Sequence, residues 1–300
     1  MIEINGVNKS FGNIKALDNV IASIQEGSIF GLVGTNGAGK STLLRILSGV
    51  LQADTGMVLV DGEDIYENSN KKRNVCFLPD TVYFFPNATV RSMADYYAII
   101  YPDFEWERFA GLVGKFGLEM KQKINTFSKG MKKQISVLLG ICTGTKYLLC
   151  DETFDGLDPV MRQAVKSIFA SELMNRDFTP VIASHSLREL EDICDHIGLL
   201  HKGGILLSKD LEDMKFHIHK VQCVIQDPVQ EEMLLADLHV LQYSKRGSLL
   251  TIVARGTKQE ILMCIEEKKP LFSEVLPLTL EEIFISETEV VGYDVKSLIF

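Results

Sequence analysis

Three hundred residues exceed what one hydrophobic core usually supports, and 46% apolar with 24% charged residues is a globular balance, so the chain reads as a large domain plus a smaller one rather than a disordered segment. A formal net charge of -9 argues against broad contact with nucleic-acid phosphate, which is driven by Lys and Arg displacing counterions. The six cysteines form no C-x-x-C pair and follow no secretory segment, which speaks against a zinc site or a disulfide framework. No stretch approaches the roughly 18 to 20 consecutive apolar residues of a membrane-spanning helix, so the chain reads as cytoplasmic, and any membrane it serves is crossed by another chain.

In chain order, Met1 to Gly6 alternates as a strand does. Ser28 to Val33 is a short apolar run suited to a buried parallel strand, and it feeds directly into Gly34-Thr35-Asn36-Gly37-Ala38-Gly39-Lys40-Ser41, a G-x-x-x-x-G-K-[ST] loop. Leu43, Leu44, Ile46 and Leu47 then recur at helical spacing. A glycine loop closing on a helix start gathers backbone N–H groups and the positive end of the helix dipole at one spot, so an anion is expected there. Gly34, Gly37 and Gly39 let the backbone curl around a phosphate, Lys40 can reach the β- and γ-phosphates, and the Ser41 hydroxyl can take a position on Mg²⁺. Asn36 and Thr42 complete the candidate nucleotide-binding set of this loop.

Further along stand Phe77-Leu78-Pro79-Asp80, then an aromatic-rich segment to Phe109. Phe127-Ser128-Lys129-Gly130-Met131 precedes a helix-like apolar run through Ile135, Val137, Leu138, Leu139 and Ile141. Leu148 to Cys150 is an apolar strand ending in Asp151-Glu152, the place where an open α/β sheet puts ligand-facing residues. Phe154-Asp155-Gly156-Leu157-Asp158-Pro159 and Val181-Ile182-Ala183-Ser184-His185 follow. This order and spacing resembles the nucleotide-binding subunits of ABC transporters over residues 1 to about 210. The Ser-Lys-Gly-Met signature, together with an acid at position 80 where many members carry Gln, is similar to the bacterial ABC-2-type exporter branch.

The resemblance implies an α/β fold: a P-loop ABC ATPase domain with a mostly parallel sheet core, a β-subdomain and a helical subdomain at about 85–145. It implies ATP and Mg²⁺ as ligands. Asp151 would help Ser41 hold Mg²⁺, Glu152 would orient and polarise the attacking water, and His185 would contact the γ-phosphate. Phe11 would stack on adenine, the alternative being a ring packed in a small β-sheet. Ser128 and Gly130 would meet the ATP of a second subunit in a head-to-tail dimer, and Asp158 would bridge to that subunit; a plain helix cap and the turn chemistry of Asp-Pro are the simpler accounts. An acid at position 80 cannot donate the hydrogen bonds an amide can, which leaves the role of Asp80 toward nucleotide and metal in doubt. In relatives the aromatic-rich segment docks on the membrane subunit, and a helical core with surface rings fits the same residues.

From about residue 215 the nucleotide motifs stop, dividing the chain into 1–214 and 215–300, with a polar helix-like stretch expected over 208–214. Strands at 221–225, 240–243, 249–253 and 272–276 alternate with helices at 228–238 and 258–267 around a Lys245-Arg246-Gly247 turn. That βαββαβ order is the ferredoxin-like pattern, a small α+β domain. Leu278 to Phe284 reads as a closing helix with a Thr N-cap. The functional expectation is an ATP-hydrolysing motor, as a homodimer or heterodimer of ATPase subunits, bound to a separate transmembrane permease at the inner face of the cell membrane and contacting no nucleic acid. The alternatives are a soluble ABC ATPase in translation or DNA maintenance, and a regulator that no longer hydrolyses.

Overall fold

The computed structural model describes residues 1–285 except 156, 192, 212–216 and 284. Gly156, the 214/215 boundary and Phe284 of the sequence reading therefore lie outside the described residues. The chain divides into two units, Met1–Ser208 and the remainder from Lys209.

In the first unit, β1 (Ile2–Phe11), β2 (Ile14–Ile24), β4 (Thr55–Val60) and β5 (Glu63–Asp64) form an antiparallel sheet in the order β2-β1-β4-β5. The second sheet has six strands: β3 (Phe30–Val33), β6 (Val75–Leu78), β7 (Tyr147–Asp151), β8 (Thr179–Ser184), β9 (His196–His201) and β10 (Gly204–Asp210). Their order is β10-β9-β3-β8-β7-β6, and the pairings of β9, β3, β8, β7 and β6 are all parallel. Strands β3, β7 and β8 are buried at every position, which is why they read as near-continuous apolar runs rather than alternating ones.

One core holds these sheets together. Ile2, Ile4 and Leu17 of the antiparallel sheet pack with Leu32 and Leu149 of the parallel sheet and with Leu43, Leu44 and Leu47 of α1 (Lys40–Leu47). A short helix, α2 (Ser69–Lys72), precedes β6. A second core lies among α3 (Val90–Ile100), α4 (Trp106–Lys115) and α5 (Lys129–Ile141), where Val90, Met93, Phe109, Ile135, Leu138 and Leu139 are buried together. Helix α3 starts at a reciprocal cap: Thr89 accepts from the Ser92 amide, and Ser92 Oγ accepts from the Thr89 amide. The aromatic segment divides as the sequence allowed, with Phe104 and Phe109 inside and Tyr83 and Tyr96 exposed. Helices α6 (Pro159–Asn175) and α7 (Leu187–Leu190) flank β8 in sequence.

Residues Ser208–Asp210 do not begin a helix. They continue β10, which pairs with β9 at the sheet edge, so sheet pairing overrides the local polar pattern there.

The second unit contains β11 (Ile218–Val224), α8 (Pro228–Asp237), β12 (His239–Arg246), β13 (Leu249–Arg255), α9 (Lys258–Glu267) and β14 (Phe272–Leu276). Its sheet order is β12-β13-β11-β14, antiparallel throughout. Counted within the unit this is the 4-1-3-2 order of a ferredoxin-like sheet, with Val221, Cys223, Leu234, Ile252, Ile261 and Ile265 in its core. Lys245 and Arg246 belong to strand β12, and the hairpin turns instead at Gly247-Ser248, where Gly247 supplies φ 61°.

Candidate active site

The loop between β3 and α1 is shaped by glycine at two close approaches. A Cβ on Gly34 would lie 2.4 Å from the Leu200 carbonyl oxygen, and one on Gly39, the N-cap of α1 at φ 108°, would lie 2.4 Å from the Ala16 carbonyl oxygen. The loop is thereby pressed against β2 on one side and β9 on the other. Lys40 is buried, and its ammonium donates to the Gly34 carbonyl at 2.6 Å and the Thr35 carbonyl at 3.3 Å. Asn36 and Gly37 form the exposed crest of the loop, and Ser41 and Thr42 begin α1.

The parallel sheet brings the remaining groups alongside. Because β8 is inserted between β3 and β7, the residues that follow β3, β8, β7 and β6 emerge in that order at the carboxyl ends of neighbouring strands. Ser41 Oγ donates to Asp151 Oδ1 at 3.0 Å. Asp151 is buried, and burial is the main reason its carboxyl sits above the usual carboxylate range; the Ser41 bond pulls it back, and the charges of Glu152 and Asp80 push it up again.

Glu152 adopts φ 47°, left-handed for a residue with a side chain, and its amide donates to the Ala183 carbonyl at 3.0 Å. Its Oε1 lies 3.3 Å from the Lys40 ammonium, while Oε2 is 2.8 Å from His185 Nδ1 and accepts from the His185 amide at 3.4 Å. The structure thus joins Lys40, Ser41, Asp151, Glu152 and His185 into one connected constellation.

Asp80 enters the same neighbourhood through a residue the sequence reading passed over. Lys133 on α5 donates to Asp80 Oδ1 at 3.0 Å and to the Glu152 carbonyl at 2.7 Å. Lys133 stands between Lys132 and Gln134, ahead of the apolar run from Ile135, so its sequence neighbours did not mark it as the buried cation.

Four expected positions are not bonded to this constellation. Ser128 caps α5, accepting from the Met131 amide at 3.2 Å, with Gly130 in the first turn. Asp158 caps α6, accepting from the Met161 amide at 3.0 Å. Within one chain, capping accounts for both. Phe11 ends β1 with its ring half exposed and the Lys9 ammonium 5.7 Å from its centroid.

The donor set fits a nucleoside triphosphate with Mg²⁺. The glycine loop is an anion cradle at a helix start, and a hydroxyl with a buried carboxylate 3.0 Å away offers two hard oxygen ligands of the kind Mg²⁺ takes alongside substrate phosphates. No cluster of three or more His, Cys, Asp or Glu able to hold a metal occurs among the described residues, and none of their helices is long and apolar enough to cross a membrane.

This parallel-sheet cassette with a phosphate loop is the fold of solved ABC ATP-binding cassettes. An ATP-binding subunit of an ABC transporter superposes with TM-score 0.66 over 72% of this chain and 92% of that one at 22% identity. A dimeric cassette bound to ADP and Pi gives 0.64 over 70% and 99% at 20% identity. Residues 17–155 match the ABC transporter family model. The ABC transporter ATP-binding protein YtrB of Bacillus subtilis is 30% identical over 96% of this chain and 98% of its own length. The bacitracin transport ATP-binding protein BcrA of Bacillus licheniformis is 28% identical over 72% and 71%. The chain belongs to the ATP-binding proteins of the ABC transporter family.

Proposed function

We propose that the chain hydrolyses ATP as the motor of an exporter, acting as a head-to-tail dimer on a separate permease at the inner face of the cell membrane. The observation that carries the hydrolytic reading is the placement of Glu152: its side chain is held between the Lys40 ammonium and His185, one residue beyond the carboxylate that bonds Ser41. Phosphates taken by the loop amides meet the positive charge of Lys40. Ser41 and Asp151 would hold Mg²⁺, which when bound neutralises phosphate charge. With Oε2 engaged by His185, Glu152 Oε1 faces the loop and is the atom placed to orient water and take its proton.

The exporter reading rests on the relatives. Alongside the bacitracin transport protein stand a lantibiotic transport ATP-binding protein of Streptococcus pyogenes and a linearmycin resistance ATP-binding protein of Bacillus subtilis. Dimerisation would bring Ser128 and Gly130 of one subunit to the nucleotide of the other and place Asp158 at the junction. Closure does mechanical work only if ATP binds the closed dimer more tightly than the open one.

Glu152→Gln tests the reading. Steady-state phosphate release should fall on the order of 10²- to 10⁴-fold while ATP still binds, and size-exclusion chromatography with ATP should show an accumulated dimer. Turnover close to that of the unaltered chain would reject Glu152 as the catalytic group.

A further inference from the structure

We propose that Lys133 is a positioning residue for ATP hydrolysis, its ammonium fixing the backbone of Glu152 and coupling it to Asp80 and to helix α5. The proposal rests on the reading of Glu152 as the catalytic carboxylate.

The Lys133 side chain is 3% exposed, whereas that of Asp80 is 49% exposed. Its ammonium donates to two acceptors, Asp80 Oδ1 at 3.0 Å after β6 and the Glu152 carbonyl at 2.7 Å after β7, and forms a longer ion pair with Asp155 Oδ2 at 3.9 Å.

The Glu152 carbonyl is the consequential contact. A side chain's direction follows from its own backbone angles, and Glu152 stands at φ 47°, a conformation that non-glycine residues leave unless their surroundings hold them. Three bonds hold its backbone: the amide donates to the Ala183 carbonyl at 3.0 Å, and the carbonyl accepts from the Asp155 amide at 3.2 Å and, more closely, from the Lys133 ammonium at 2.7 Å. Loss of the Lys133 bond leaves only the longer Asp155 bond at the carbonyl, so this residue can relax and its carboxylate can swing away from Lys40 and His185.

Charge supplies an independent reason for a lysine here. Asp80, Asp151, Glu152 and Asp155 crowd acidic groups at the ends of β6 and β7. The buried Lys133 ammonium needs a counter-charge, and the half-exposed Asp80 carboxylate supplies one where an amide would not. The acid at 80 and the cation at 133 form a matched pair. Because Lys133 sits on the helix that Ser128 caps, any displacement of α5 is felt directly at the Glu152 carbonyl.

The test compares kcat, KM for ATP and equilibrium binding of a fluorescent ATP analogue in the full chain carrying Lys133→Met, Lys133→Gln, Asp80→Gln or Asp80→Gln with Lys133→Gln. Lys133→Met should lower kcat on the order of 10- to 100-fold, with KM and analogue affinity changed by no more than about threefold, because a misplaced reacting group costs rate rather than binding. Lys133→Gln retains an N–H for the Glu152 carbonyl and should recover part of that loss; it also serves as the deciding variant if Lys133→Met does not fold. The double substitution should lose less than the product of the two single losses. An unchanged kcat in both Lys133 variants, or kcat and affinity falling together with the thermal midpoint, overturns the proposal. Glu152→Gln measured in parallel separates the two readings: if it is inactive while the Lys133 variants are fully active, only this proposal fails, whereas a fully active Glu152→Gln removes the reading beneath it.

Discussion

One of the two close approaches in the phosphate loop can be probed without nucleotide by placing one methyl group at either of two neighbouring glycines. Gly37 and Gly39 both have positive φ, 84° and 108°, but a Cβ on Gly37 meets nothing within 4 Å while one on Gly39 falls 2.4 Å from the Ala16 carbonyl oxygen and 2.9 Å from Leu17 Cδ2. For Gly37→Ala the cost is conformational alone, about 1–2 kcal/mol, less about 0.4–1 kcal/mol returned because alanine restricts the unfolded chain. Gly39→Ala carries the same strain and must also push the loop off strand β2, which overpacking series put at about 1–3 kcal/mol more. Urea unfolding followed by circular dichroism should therefore show Gly39→Ala less stable than Gly37→Ala by about 1–3 kcal/mol. Because α1 starts at Gly39, its displacement should also weaken ATP binding. Equal unfolding midpoints for the two variants would refute the packing of this loop against β2.

The phosphate loop was legible because its strand, glycines and helix are contiguous in the chain, so local patterning carries the whole motif. Asp151, Glu152 and His185 were legible one at a time, each following an apolar run, but what makes them a site is the insertion of β8 between β3 and β7. Pairings between segments so far apart leave no trace in local periodicity. Lys133 was missed for the same reason: Asp80 lies 53 residues before it and Glu152 19 residues after, and only the fold brings their acceptors to one ammonium. The ferredoxin-like unit was readable as an alternation of strands and helices, yet its boundaries moved where pairing decided them. His239–Arg246 became one strand because β13 offered a partner along its length, and Ser208–Asp210 stayed in β10 because β9 did.

Two predictions remain. Phe11→Ala should leave stability within about 0.5 kcal/mol, since the ring is half exposed, yet weaken ATP binding by about 1–3 kcal/mol in calorimetry if the ring stacks on adenine; an unchanged affinity would return Phe11 to a packing role. The last concerns how the helical layer is tied to α6. Glu172 is buried, bonded by Nε of Arg176, which caps the end of its own helix, at 2.5 Å and by the Arg108 guanidinium on α4. Arg176 also donates to the Thr145 and Ile141 carbonyls, at 2.5 and 3.3 Å, whereas among the described residues the other partner of Arg108 is the partly exposed Glu105. Arg176→Met leaves two backbone carbonyls unpaired and Glu172 with one counter-charge, a loss of about 3–5 kcal/mol. Arg108→Met leaves Glu172 still held by Arg176 and should cost about 1–2 kcal/mol. Equal midpoints for the two in urea unfolding would mean that the Arg108 contact from α4 holds the buried carboxylate as strongly as Arg176 does, against this reasoning. The inequality is expected because one arginine serves three buried acceptors and the other serves one.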